Sequence, residues 1–526
     1  MEIDSHGDGE IKQRASNSIM IMILTLVSRL LGIVKARAIA TVFGATGIAD
    51  VINFTFNIPN NFRKLFAEGA LSSAYIPVFS ASITEEKGGI EKSKALLARM
   101  QGFQLLISLP LLVLTWFWRT EIILFLSDFS NPDHILLSGK LLIYFMVFLF
   151  SISFAALYGG VLQSHGSFFT AAAAPLIFSV SVIASVYGLS STIGPYSMAF
   201  GVVFGGTAQA IVTFLRLRSY GYRMRFSFRF SSPEFKRVMH SWAPVTITAV
   251  VAIVTQQIAF YFASTLSEGT VTAFSNAIII WQAPYGIFYS AIATVFFPAM
   301  VSAFTRKQKE ELNHLVHKGL VYIATFLIPS ALLLTVLRNE TTAVLLQSGR
   351  FVLEDTIETG TILFWFTIGM PIVAWYGFMQ RVCFSTSRFK STLTVGIVVA
   401  ILDIVITWLA LGLGYGPKSL SLANTLSFGA GVVGLWFVAH QRGHMHISLS
   451  KLTSDLLKLL LANVPLGTAA ILYLRFIEKG WWYTGSSMVN ALILLGLYST
   501  AMLIVFISYR LFGIEFLNVL IKRKER

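Results

Sequence analysis

The stretch PLLVLTWFWRTE at residues 110–121 returns as PSALLLTVLRNE at residues 329–340. Pro110, Arg119 and Glu121 thereby pair with Pro329, Arg338 and Glu340 at unchanged spacing. Tyr158-Gly159 recurs as Tyr376-Gly377, and the region of Tyr75-Ile76-Pro77 recurs as Phe296-Phe297-Pro298. All three matches are displaced by about 220 residues and are collinear. An internal duplication of that length halves most of the chain, as parallel transporter repeats do.

Hydropathy shows what is duplicated. The 526 residues are 55% hydrophobic and only 12% charged, with a mean hydropathy of +0.72. Apolar runs of roughly 20 residues, enough to cross about 30 Å of hydrocarbon, recur throughout. Lipid cannot satisfy backbone amides, so these runs must be helices, and the alternating pattern of a β-barrel is absent. The expected fold is all-α and integral to a membrane, with about fourteen spans. They fall near 16–42, 49–82, 93–118, 135–163, 169–189, 194–217, 238–265, 271–303, 314–337, 356–384, 389–412, 418–440, 452–474 and 486–511. The repeat moves spans two to four onto eight to ten, an even shift, so the halves are two parallel six-helix lobes around a central cavity. The expected division is an N-terminal tail at 1–15, lobes at 16–220 and 221–441, and two extra helices with a basic tail at 442–526.

Cations set the orientation. Loops after even-numbered spans carry Lys87, Lys92 and Lys94, then Arg223, Arg225, Arg229, Lys236 and Arg237, then Arg306, Lys307 and Lys309, then Arg388 and Lys390. Loops after odd-numbered spans are nearly neutral or mixed in sign. Both termini are therefore expected in the cytoplasm. The same bias accounts for the net charge of +15 without a nucleic-acid partner. The lone Cys383 excludes an intramolecular disulfide and reads as a core residue. Arg29, Lys35 and Arg37 separate the first apolar run from Ala38-Ile39-Ala40, so no cleaved leader is expected. His165, at a turn, reads as solvated.

The first two spans are charged. Arg29, Lys35 and Arg37 lie on the first; Asp50, Arg63, Lys64 and Glu68 lie on the second. An ionised side chain at a helix centre costs roughly 2.5–3.5 kcal/mol on insertion scales, so such groups face water or one another. At about 100° per residue, Asp50, Asn57, Asn61, Lys64 and Glu68 form one stripe, and a kink at Pro59 is expected to bring Arg63 onto it. Snorkelling of Lys35 and Arg37, or neutralisation of Lys64 by Glu68, is the plainer reading for single residues. For the whole cluster five cations against two acids ask for an anion, and Arg and Lys suit phosphate.

These residues carry a resemblance. Ser28-Arg29-Leu-Leu-Gly32, Phe43-Gly44-Ala45, Ala49-Asp50, Ile58-Pro59-Asn60, and Arg63-Lys64-Leu-Phe-Ala67-Glu68-Gly69-Ala70 through Pro77 closely resemble the MurJ (MviN) family of lipid II flippases. That family lies within the multidrug/oligosaccharidyl-lipid/polysaccharide exporter superfamily. The resemblance continues weakly through Pro284, Pro298, residues 307–311 and Gly349-Arg350-Phe351. It implies export of an undecaprenyl-diphosphate-linked peptidoglycan precursor across the bacterial inner membrane by alternating access, with membrane lipids and cell-wall synthesis proteins as partners. The family's functional cations correspond to Arg29, Lys35 and Arg63, and its acid to Asp50. The chain departs from the family at Lys35-Ala36, where many relatives have Arg-Asp. It departs again at Ile278-Ile-Ile-Trp-Gln-Ala-Pro284, where relatives carry an Arg. Gln282 and Trp281 are left to offer hydrogen bonds there, and the first hairpin is expected to carry more of the headgroup recognition.

No cofactor is implied. Asp403, with Thr407 one turn on and Asn424 on the next span, offers oxygen ligands for Na⁺ or a proton relay, or else a simple interhelical hydrogen bond. Gln256 and Gln257 read as helix–helix glue. The competing functions are a polysaccharide-lipid flippase or drug exporter of the same architecture and a membrane-embedded enzyme. A cation exporter asks for cavity acids, and an enzyme asks for paired acids or a metal cluster. Neither pattern is in the sequence.

Overall fold

The computed structural model describes residues 4–66, 70–85, 88–441, 448–476 and 487–514. Among them the regular structure is α-helical, and twelve helices are long and apolar enough to cross a membrane. These twelve coincide one for one with the expected spans from 93–118 onward. The expected second span is instead two helices, and with α1 they stand outside the twelve, so the described residues give twelve where fourteen were expected.

The chain forms two compact units, Met1–Thr272 and Ala273–Arg526. The first contains α1 (Asp4–Phe43), α2 (Gly47–Phe66), α3 (Ala70–Thr84), α4 (Gly89–Leu126), α5 (Pro132–Ser164), α6 (Phe168–Ile193), α7 (Tyr196–Arg218), α8 (Pro233–Ser264) and the start of α9 (Thr270–Thr305). Here α5 is central and touches α2, α3, α4, α6 and α7, while α8 lies on α2, α3 and α4. The second unit holds the rest of α9, then α10 (Lys309–Val336), α11 (Arg338–Leu346), α12 (Leu353–Ser385), α13 (Phe389–Gly412) and α14 (Lys418–His440). It closes with α15 (Leu449–Ala462), α16 (Val464–Phe476) and α17 (Ser487–Leu511).

The duplication is visible inside each unit. α5 and α12 start and end 221 residues apart, and α6 and α13 start 221 apart. α7 packs on α5 and α6 just as α14 packs on α12 and α13. The repeated arginine marks a helix break in both copies. In α4 the backbone leaves helical angles at Trp118, and Arg119 donates from Nη1 to the Trp116 carbonyl at 3.2 Å. Helix α10 ends at Val336, and Arg338 donates from Nη1 to the Thr335 carbonyl at 2.8 Å. In each copy the guanidinium takes up a carbonyl that the break has freed.

Small residues let helices meet backbone to backbone, the usual means of association where lipid removes the hydrophobic drive. A Cβ on Gly205 of α7 would lie 2.9 Å from the Phe178 Cα of α6, so only glycine permits this approach. Its neighbour Gly206 faces the Phe148 ring of α5 in the same way. The C-terminal helices are latched to α10 and α11 by polar contacts. Tyr509 donates to the Thr325 carbonyl at 2.8 Å and accepts from Asn463 Nδ2 at 3.0 Å. Tyr473 donates to buried Glu340 at 3.3 Å, and Nε2 of His317 lies 2.7 Å from Oδ2 of Asp455. Cys383 is a fully buried core residue.

Candidate substrate-binding site

Lys35 sits in an aromatic cage. Its Nζ lies 5.6 Å from the Phe56 ring centre on α2 and 5.1 Å from the Phe178 ring centre on α6. Phe56 and Phe178 are stacked at 6.4 Å, and Phe148 packs on Phe178 at 5.0 Å. Cation–π attraction operates within about 6 Å and strengthens when water is excluded, so the cage holds this ammonium in place. Gly205 and Gly206 seat the rings, and the rings seat the lysine.

Arg63 of α2 lies near enough to Lys35 for their like charges to repel. Its Nε donates to Oδ1 of Asn60, one turn earlier, at 3.0 Å. Pro59 lies within the same helix.

The stripe itself faces a neighbour. Lys64 donates from Nζ to Oδ1 of Asn61 at 2.9 Å and to Oε1 of Gln256 on α8 at 2.7 Å. Asn57 and Asn61 are buried, and their Nδ2 atoms find no acceptor among the described residues. Asp50 is buried at the other end and accepts at Oδ2 from the Gly269 amide at 2.7 Å. Its Oδ1 accepts from the Thr272 amide at 2.8 Å and the Thr272 hydroxyl at 2.7 Å. A carboxylate from α2 therefore caps the N-terminus of α9, where free amides and the helix dipole favour negative charge. Gly269 has φ +95°, and a Cβ there would lie 2.6 Å from the Ala45 carbonyl, so glycine is required. Arg29 and Arg37 are half-buried on α1. Arg37, two residues past Lys35, is rotated about 200° away from the cage. Glu68 lies outside the described residues.

A sequence profile of the family described as "Lipid II flippase MurJ" matches residues 39–493. The chain belongs to the MurJ family. A probable lipid II flippase MurJ of Borreliella burgdorferi is 31% identical over 507 residues, covering 96% of this chain and 98% of that one. The lipid II flippase MurJ of Thermosipho africanus is 26% identical over 486 residues, covering 91% and 95%. In three dimensions, a lipid II flippase MurJ in an inward closed conformation matches with TM-score 0.77 at 23% identity, over 96% of this chain and 100% of that one. An inward-facing MATE family transporter of the MOP superfamily matches with TM-score 0.66 at 11% identity, over 83% and 99%. Both show the shared fold, and the MurJ family is one of transporters, not catalysts.

The acid of α13 makes an interhelical hydrogen bond, one of the two roles its sequence setting offered. Asp403 is buried, and its Oδ1 accepts from Ser427 of α14 at 3.1 Å. Thr407 donates to the Asp403 carbonyl at 2.7 Å, and Asn424 takes part through its backbone carbonyl, which accepts from Ser427 at 3.1 Å. Ser427 is the residue sequence reasoning missed; one turn after Asn424, it lies nearly above it on the same helix face. His165, expected as solvated, is half-buried at its turn. It stacks on Tyr220 at 4.8 Å, and its Nε2 lies 2.9 Å from the Tyr222 hydroxyl, so it is part of the loop packing. Burial holds its pKa below the usual value.

Proposed function

We propose that this MurJ-family chain translocates lipid II, the undecaprenyl-diphosphate-linked peptidoglycan precursor, from the cytoplasmic to the outer leaflet of the bacterial inner membrane by alternating access. The observation that carries the reading is the ammonium of Lys35 held between the Phe56 and Phe178 rings, in a chain related to lipid II flippases along nearly its whole length. A diphosphate cannot cross hydrocarbon without a hydrated cationic path. Arg63 offers bidentate hydrogen bonds and Lys35 a caged point charge. The lipid tail stays in the bilayer, beside α15–α17. Both termini face the cytoplasm on the positive-inside bias, and cell-wall synthesis proteins are the partners that would take up the flipped precursor. Any ion coupling is assigned to Asp403, the single acid within α13 and α14. The membrane potential adds about 2.3 kcal/mol per charge per 100 mV.

The test is complementation of a bacterial strain depleted of its own lipid II flippase. Wild type is expected to restore growth and outward exposure of lipid II, and Arg63→Ala is expected to insert normally and fail. Growth without restored lipid II exposure would overturn the reading. Replacing Na⁺ by choline in the same assay reports on Asp403.

A further inference from the structure

The second unit contains a cation that no part of the preceding site uses. Between Gly360 and Ser385, α12 carries one charged side chain, Arg381. Helix α9 carries none at all. A long side chain one turn from its helix end is free to snorkel outward. Arg381 instead turns inward. Its guanidinium carbon lies 5.5 Å from the ring centre of Tyr289, a buried residue of α9. The Tyr289 hydroxyl rests against Gly377, where a Cβ would lie 2.6 Å from the oxygen, so the ring under the guanidinium is held in place.

Arg381 makes no ion pair with a carboxylate among the described residues. A guanidinium has five donors, and a ring face engages none of them as an acceptor in its plane. The aromatic side chains continue away from it along α9. Tyr285 stacks on Tyr289 at 4.9 Å, and Trp281 meets Tyr285 at 5.1 Å and Phe366 of α12 at 5.6 Å. Trp281 is 7% exposed, and its indole Nε1 has no acceptor among the described residues. A buried orphan donor on α9 and a guanidinium of α12 held over Tyr289 thus lie along one aromatic row, with Trp281 and Tyr289 about 12 Å apart along the helix. A buried N–H without a partner costs about 1–3 kcal/mol, so an acceptor belongs there.

We propose that Arg381 and the indole of Trp281 form a second anion-binding site, built wholly within the second unit, for acidic oxygens of the transported headgroup. The chemistry is phosphate or carboxylate oxygen, and the inference rests on the lipid II reading above. Tyr289 is a positioning residue that holds the guanidinium over its ring.

The test measures binding of lipid II to the full-length protein in lipid nanodiscs, for wild type, Arg381→Gln, Arg381→Lys, Trp281→Phe and Tyr289→Phe. Arg381→Gln is expected to weaken binding on the order of tenfold, with partial recovery in Arg381→Lys, because lysine keeps the charge but not the fork. Trp281→Phe keeps the stacking and should weaken binding several-fold. Repeating the titration with lipid II whose stem-peptide carboxylates are amidated separates the sources. An unchanged Arg381→Gln defect assigns the contact to the diphosphate, and its loss assigns the contact to the peptide. Thermal unfolding of each variant reports its fold, and Trp281→Phe is the reporter if Arg381→Gln fails to fold. Wild-type binding matched by folded Arg381→Gln and Trp281→Phe would overturn the inference and leave the flippase reading standing. Absence of lipid II binding by wild type would overturn the flippase reading itself.

Discussion

Asp50 closes on Thr272 twice, its Oδ1 accepting from the backbone amide at 2.8 Å and from the side-chain hydroxyl at 2.7 Å. With the Gly269 amide on Oδ2, one carboxylate of α2 satisfies the first turn of α9. The acid that sequence similarity pairs with the functional cations is thus also a cap.

Asp50→Ala is therefore expected to lower stability by about 2 kcal/mol, since it leaves buried donors unmet. Thr272→Val should cost about 1 kcal/mol, and the double variant should fall short of the sum because the two share a bond. Thermal unfolding in detergent micelles measures all three. Equal stability of Asp50→Ala and wild type would remove the capping role.

The cage makes a different demand on Lys35. Lys35→Gln should reduce lipid II translocation about tenfold or more, while Lys35→Arg should retain part of it because guanidinium also binds aromatic faces. Phe178→Leu keeps the charge but loses a ring. It should give an intermediate defect in an assay of surface-exposed lipid II. A Phe178→Leu protein as active as wild type would show that the rings do not position the ammonium.

Gly205→Ala probes the same site from a distance. Its methyl would meet the Phe178 backbone, forcing α7 from α6, and overpacking typically costs about 1–3 kcal/mol. Both stability and translocation should fall, whereas Gly188→Ala, with open space around it, should leave both unchanged.

His165 supplies a pH dependence outside the membrane spans. Burial lowers its pKa below the ordinary 6.5, so the folded protein favours the neutral ring that contacts Tyr222. The unfolded chain then binds more protons in acid. Stability from this group is full above pH 6.5 and is lost as pH falls through that value toward the lowered one. His165→Gln should flatten the decline in melting temperature between neutral and acidic buffer. A slope unchanged by the substitution would exclude the histidine as its source.

Tyr509 tests the docking of the C-terminal helices. Tyr509→Phe removes a bond to the Thr325 carbonyl and leaves Asn463 without its hydroxyl acceptor, at a cost of about 1–3 kcal/mol. Limited proteolysis of α15–α17 should accelerate while α1–α8 stay protected.

Much of this was legible in the chain itself. Apolar runs fixed by bilayer thickness placed the spans, because helix length in lipid depends on composition more than on partners. The duplication at Pro110 and Pro329 was legible too, and the structure adds a helix break in both copies, at Trp118 and Leu337, since a repeated local sequence meets the same backbone requirement. The charge of the first hairpin, and with it the anionic substrate, was also written there. Partners distant in sequence were not. Periodicity put Asp50 and Lys64 on one stripe, yet only the packing of α8 and the start of α9 decided that the stripe meets Gln256 and Thr272. Sequence separated Lys35, Phe56 and Phe178, and only the packing of α1 on α6 and of α2 and α6 on α5 assembled them. Arg381 read as one more basic residue until the fold laid it over Tyr289. Hydropathy and spacing act along the chain, whereas a side chain's direction and its partner are set by which helices pack together.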